Sequence, residues 1–248
     1  MHRSVYILVV MLFLSAGLHA QYMDYGIKGG LNIGTPYGVA EEGATGSPGI
    51  GPLIGMFFKY NLSDKWAVHG DFSYSFKGSS FDTPVSGDTL YEWTQKHPTH
   101  PGTDTTYYAQ TTYEGYVDGE YANWYFDIPV YISYRLSRSF IIFGGAQVSY
   151  LVKGKNKGSA DIIVGDPKSP YTKVYGEPFD QSNELNTWDY GLILGTQLEG
   201  KKRLNLGISL TCGLGSIYHK NYKYIDNVIR NIYLQTFLGF RINGSSAK

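Results

Sequence analysis

The chain has 248 residues with 21 basic and 21 acidic side chains, so it carries no net charge and gives no reason to expect a nucleic-acid partner. Aromatic residues make up 16%, with 23 Tyr, and glycines number 31, a mixture that favours strands, turns and interfacial surfaces over a helical bundle. A lone cysteine, Cys212, excludes an internal disulfide.

The first residues, MHRSVYILVVMLFLSAGLHAQ, place His2 and Arg3 before an apolar run from Val5 to Leu14 and a small-residue tail from Ser15 to Ala20. This is the layout of a secretory signal peptide cleaved after Ala20, with 21–248 as the mature domain. The run is too short to span a membrane comfortably as an anchoring helix. No Cys follows the cleavage point to carry a lipid. The mature chain has no apolar run of about 18 residues, so no transmembrane helix is expected.

The mature chain instead shows period-two alternation. Tyr25, Ile27, Leu31 and Ile33 alternate with Asp24, Lys28, Gly30 and Asn32. Pro52 to Tyr60 repeats the pattern with Lys59 on the polar side. In WAVHGDFSYSFK, Trp66, Val68, Phe72, Tyr74 and Phe76 share one parity, against His69, Asp71 and Lys77. Trp124 to Tyr134, Phe140 to Tyr150, Trp188 to Leu198, Leu204 to Leu214 and Ile232 to Ile242 continue it. About eight strands result. Most run to about ten residues, the 9–11 that a tilted transmembrane strand needs, where soluble strands average about 5–6. Trp66, Phe76, Trp124, Tyr134 and Trp188 stand at the ends of the apolar rows, as in the aromatic girdles of a membrane barrel.

Connections alternate too. Asn61–Lys65, Ser137–Ser139 and Gly200–Lys202 are tight, whereas Thr35–Ile50, Ser79–Tyr121, Gly154–Leu185 and Ile217–Ile229 are long. Short turns on one side and long loops on the other mark an outer-membrane barrel with periplasmic termini. Alternation alone also fits a soluble barrel with its apolar row inside. Leader, strand length and loop asymmetry favour the membrane. The expected fold is all-β, an eight-stranded antiparallel up-and-down transmembrane β-barrel with long extracellular loops. Lys28, Lys59, His69, Asp71, Asp127, Arg135, Glu199 and Arg241 then face a lumen just wide enough for side chains to fill, and are expected to form a polar network that blocks bulk flow.

DYGIKGGLNIG (Asp24–Gly34), FSYSFKG (Phe72–Gly78), NWYFDIPVYISYRL (Asn123–Leu136) and the closing YLQTFLGFRI (Tyr233–Ile242) resemble the PorT-type, "porin family" outer-membrane β-barrel proteins. The resemblance covers nearly all of the mature chain. It implies an eight-stranded barrel in a Gram-negative outer membrane and little about activity; the namesake takes part in secretion of outer-membrane cargo. The chain departs from the usual aromatic C-terminus, since Phe240 is followed by Arg241, Ile242 and the polar tail Asn243–Lys248.

Chemical motifs are sparse. His97 and His100 in HPTH lack close acidic or thiol partners for a metal, and a solvated pair is expected. His69 lies mid-strand rather than at a rim, which favours a lumen hydrogen bond over hydrolysis. Gly29, Gly30 and Gly34 have no Lys-Ser/Thr after them and form no phosphate loop. No enzymatic activity, cofactor or metal is expected. Tyr107, Tyr108, Tyr113, Tyr116 and Tyr121 form a candidate binding loop, or they pack on one another or at the membrane interface. The expected partners are outer-membrane lipid and, through the extracellular loops, a protein. The expected role is structural, interaction-based or accessory to secretion or transport. The alternatives are a narrow pore for small solutes and an adhesin-like surface protein.

Overall fold

The computed structural model describes residues 23–38, 45–95, 105–166, 169–200, 203–219 and 229–243. The leader at 1–20, the His97–His100 pair and the tail after Asn243 lie outside the described residues. The strands are β1 (Met23–Tyr37), β2 (Thr45–Asn61), β3 (Trp66–Gln95), β4 (Thr105–Arg135), β5 (Phe140–Lys153), β6 (Asn156–Asp166), β7 (Ser169–Asp180), β8 (Trp188–Glu199), β9 (Leu204–Gly213) and β10 (Arg230–Asn243). All paired neighbours are antiparallel. β1 to β5 and β8 to β10 make a ring of 8 strands, closed where β1 meets β10. β6 and β7 stand outside the ring as a hairpin paired to the outer half of β4.

Two of the tight turns have a shared chemistry. Ser63 Oγ accepts from Trp66 N at 3.1 Å, and Ser137 Oγ accepts from Phe140 N at 3.2 Å. A Ser hydroxyl closing its own turn gives a short reversal without glycine. These turns, the start of β1 and the end of β10 share one end of the ring, the periplasmic end of an outer-membrane barrel.

Two of the expected long loops are strands. β3 runs on to Gln95 and β4 starts at Thr105, so most of Ser79–Tyr121 is a continuous hairpin. Most of Gly154–Leu185 forms β6, β7 and a single 3-10 turn at Ser182–Glu184. The Thr- and Tyr-rich sequence of these segments is strand-forming, although no membrane sets its alternation. The result is a four-stranded sheet, β3–β4–β6–β7, that extends past the barrel.

Within the ring the β3–β4 ladder skips two residue pairs. Gly70 pairs with Val130 and Ser73 with Asp127, but Asp71 and Phe72 have no partner opposite Pro129 and Ile128. Pro129 has no N–H to donate, which explains the gap.

The outer wall is apolar. Leu194 is 68% exposed, Ile54 67% and Leu238 60%, and they belong to a continuous belt of large exposed side chains. A water-facing surface rarely carries so large an apolar patch. Aromatic pairs bound the belt. Trp66 packs on Tyr134 at 4.8 Å near the turns; Trp124 packs on Tyr74 at 4.9 Å and Trp188 on Tyr150 at 5.0 Å near the far end. Ten strand residues between such bands rise about 33 Å along the strand, or about 25 Å of height at a tilt near 40°, which matches the apolar band of a membrane barrel.

Candidate functional site

The lumen is filled in layers, starting at the periplasmic end. Glu199 on β8 is held by Lys59 from β2 and by Arg135 Nη2 from β4 at 2.5 Å. β2 and β8 stand opposite each other in the ring, so the Lys59–Glu199 pair spans its full width. Arg241 on β10 reaches Asp24 on β1 at 3.5 Å. Above them Lys28 Nζ meets Asp71 Oδ2 at 2.7 Å, and Tyr131 donates its hydroxyl to the same carboxylate at 3.3 Å. His69 bonds Ser133 Oγ at 2.9 Å and stacks on Tyr131 at 4.7 Å. Among the described residues no hydrogen bond joins the His69 ring to a carboxylate, so the Ser–His pair lacks the acid that orients a catalytic base.

The middle layer is apolar. Leu53, Tyr131, Phe143, Ile193 and Phe237 form one buried cluster inside the ring. Glycines make room for it. A Cβ on Gly207 would lie 2.1 Å from the Phe237 ring, and one on Gly195 would lie 2.4 Å from Phe143. Gly207→Ala therefore pushes a packed ring out of place. It is expected to lower stability by about 1–3 kcal/mol, read as a lower urea midpoint for barrel unfolding.

Above that layer Asp127 is the hub. It accepts from Lys77 Nζ at 2.9 Å, Ser75 Oγ at 2.5 Å and Ser149 Oγ at 2.6 Å. Lys77 lies over the rings of Tyr125 and Tyr233 at 4.3 and 4.4 Å. Gln147 bridges Ser149 and Tyr233. Gln235 donates to Asn32 at 3.0 Å, tying β10 to β1. Among the described residues, cavities of about 10 Å³ each lie beside Lys28 and Glu199 and beside Lys77 and Asn32. Each has room for about one water.

A second apolar cluster caps the outer mouth. Tyr121, Leu185, Ile217 and Tyr218 are buried together. The Tyr121 and Tyr218 hydroxyls meet at 2.6 Å, Asn156 donates to Tyr218 at 2.6 Å, and Leu185 and Tyr218 form an isolated bridge. Burial pushes the Tyr121 hydroxyl above its ordinary pKa. Tyr121, grouped with the binding loop by sequence, is 7% exposed and packed into this cap. It continues the inward parity of Tyr125 and Asn123, and that parity carries it into the cap. Tyr116 is exposed on β4. The backbones of Tyr107, Tyr108 and Tyr113 lie on β4.

Outside the membrane, Lys157 on β6 donates to Asp180 on β7 at 2.6 Å. That bond, with two from Ser182, holds the Asp180 carboxyl down to about 2. An acid lowered in this way keeps its contact above its unfolded value near 4, and loses it only as pH falls toward 2. The Lys157–Asp180 contact therefore persists through mild acid.

Lys28, Lys59, His69, Asp71, Asp127, Arg135, Glu199 and Arg241 line the lumen, and Asp24 and Lys77 join them there in four groups: Lys59–Glu199–Arg135, Arg241–Asp24, Lys28–Asp71 and Lys77–Asp127, with His69 beside the third. Sequence reasoning missed the apolar filling. Its signal was present, because Leu53 shares the parity of Lys59, Phe143 that of Gln147, and Phe237 that of Gln235. Among the described residues no group of three His, Cys, Asp or Glu is placed to hold a metal ion.

An apolar wall around a polar, packed lumen defines an integral membrane β-barrel of the outer-membrane type. The chain belongs to the family described as outer membrane protein beta-barrel domain, whose model matches residues 16–219. This membership points to the cell outer membrane. No curated protein sequence matches the chain. Among solved structures it is similar to Ail, the attachment invasion locus protein of Yersinia pestis, at 11% identity and a TM-score of 0.41, covering 88% of this chain and 98% of that one. It is also similar to Neisserial surface protein A at 11% identity and 0.37, covering 88% and 97%. The toluene transporter TbuX of Ralstonia pickettii follows at 7% identity and 0.27, covering 89% and 90%. At these scores the similarities assign no function.

Proposed function

We propose that this protein is a closed outer-membrane barrel that works through contacts of its external sheet rather than by conducting solute. The observation that carries this reading is the filled lumen: Lys59–Glu199 crosses it below an apolar layer, Lys77–Asp127 is buried above that layer, and the two small cavities between side chains each have room for about one water. A structural or interaction role, or one accessory to secretion or transport, follows from such a body. The PorT-type designation and a part in secretion rest on the four sequence elements that resemble that family. No catalytic group is assigned.

Planar-bilayer recording tests the reading. The wild-type protein is expected to give no sustained conductance, and liposomes carrying it to show no solute-driven swelling. Stable conductance steps or swelling would replace this reading with that of a narrow pore.

A further inference from the structure

We propose that the outer edge of β3, from Thr83 to Gln95, is a docking strand that takes an extended basic polypeptide by β-addition; the proposal rests on the reading that the barrel works through its external sheet. β2 accompanies β3 only as far as the Thr45–Asp82 pair, whereas β4 stays paired with it to Gln95. Beyond Asp82, among the described residues, no strand covers the other side of β3. Such an edge presents unpaired N–H and C=O groups to any chain that can lie along it.

The two edges of the outer sheet differ. β7 is blunted by Pro170, Lys173 and Pro178 and by two register breaks against β6. β3 has Pro84 at its base and then no Pro, Lys or Arg from Val85 to Gln95, and its register with β4 is unbroken there. Proline, basic side chains and register breaks are thus absent from one edge only.

Charge names the partner. The segment 79–121 carries seven acidic residues and one basic residue, Lys96, in a chain of zero net charge. Asp82, Asp88 and Glu92 share one parity on β3. The ladder sets Asp82 opposite Asp118, and Glu114 and Glu120 on the same parity of β4. Like charges set directly opposite are unfavourable. Glu120 is paired with Lys155, and Asp118 accepts from Ser159 at 2.9 Å, but neither contact supplies a cation to Asp82. A strand laid beside β3 puts every second side chain on the face of Asp82, Asp88 and Glu92. Lys or Arg at alternate positions gives cross-strand pairs of opposite sign. A second copy joined edge to edge would bring the same carboxylates together, which excludes it as the occupant.

The test uses full-length wild-type protein in nanodiscs and a synthetic peptide with Lys at every second position between Thr and Val. Fluorescence anisotropy compares it with the same peptide N-methylated along one edge. The parent peptide is expected to bind at least about tenfold more tightly, because main-chain hydrogen bonds carry strand addition. Asp88→Lys with Glu92→Lys should weaken the parent peptide by a similar factor. Equal binding of the N-methylated peptide, or undiminished binding to the doubly charge-reversed protein, overturns the proposal. The peptide comparison uses the wild-type chain alone, so it decides even if the variant misfolds. Peptide binding by a barrel that conducts would sink the closed-lumen reading and leave this one standing; a closed barrel indifferent to N-methylation would do the reverse.

Discussion

Lys77→Ala destabilises the folded barrel by about 3–5 kcal/mol, the cost of stripping a buried ion of its partner. The Lys77 side chain is 6% exposed and that of Asp127 is 2% exposed. Without the ammonium, Asp127 keeps only the Ser75 and Ser149 hydroxyls and no countercharge, and the Tyr125 and Tyr233 rings lose the cation between them. Replacing both partners, as Lys77→Met with Asp127→Leu, should recover most of the loss, because a well-packed apolar pair avoids the desolvation that the ion pair must offset. Urea unfolding in micelles, read on a gel that separates folded from unfolded barrel, measures both. A double variant no more stable than Lys77→Ala would show that volume, not the stranded charge, sets the cost.

Leu194→Arg is the second large effect, at about 2–4 kcal/mol. Leu194 points outward on β8, between Trp188 and Tyr190 toward one end and Leu198 toward the other. A 68% exposed leucine on a soluble protein could become arginine within about 0.5 kcal/mol. In a bilayer the same position lies near the midplane, where a guanidinium must leave water. Leu194→Phe adds area without charge and should be tolerated. The same unfolding assay in lipid vesicles checks the pair, and a neutral Leu194→Arg would contradict the lipid-facing assignment of the whole apolar belt.

Much of the architecture was legible because a strand has a period of two. The row from Trp66 to Phe76 and the row from Trp124 to Tyr134 declare their apolar face, and a one-residue slip would bury the wrong side chains. The polar row was legible for the same reason. What it joins was not. Lys59 and Glu199 are far apart in the chain, and only ring closure makes them opposite. Apolar residues on the polar parity were also hidden, since Leu53, Phe143 and Phe237 break the pattern instead of extending it. Their meaning depends on Gly207 and Gly195, which leave space on other strands. The outer hairpin was read as a loop because Pro84, Gly87, Gly115 and Gly119 interrupt any hydrophobic rhythm there. Backbone pairing tolerates those residues, because the ladders of β4 with β3 and β6 are made by main-chain groups and need no apolar row.

The joining of the first and last strands has a consequence for the order of assembly. β1 finds its second neighbour only in β10, from Tyr25 opposite Asn243 to Tyr37 opposite Arg230. Until the final residues arrive, β1 is a bare edge, and the sheet is an open ribbon with both faces accessible. Lys28–Asp71 and Lys77–Asp127 can form on the early strands alone, whereas Lys59–Glu199 waits for β8 and Asp24–Arg241 for β10 itself. A chain cut short before Arg230 loses only Asp24–Arg241 among these ion pairs, yet it has no seal. Loss of the last strand thus removes the distinction between inside and outside rather than trimming one element, and an incomplete chain offers its unsealed edge to any neighbour in the periplasm.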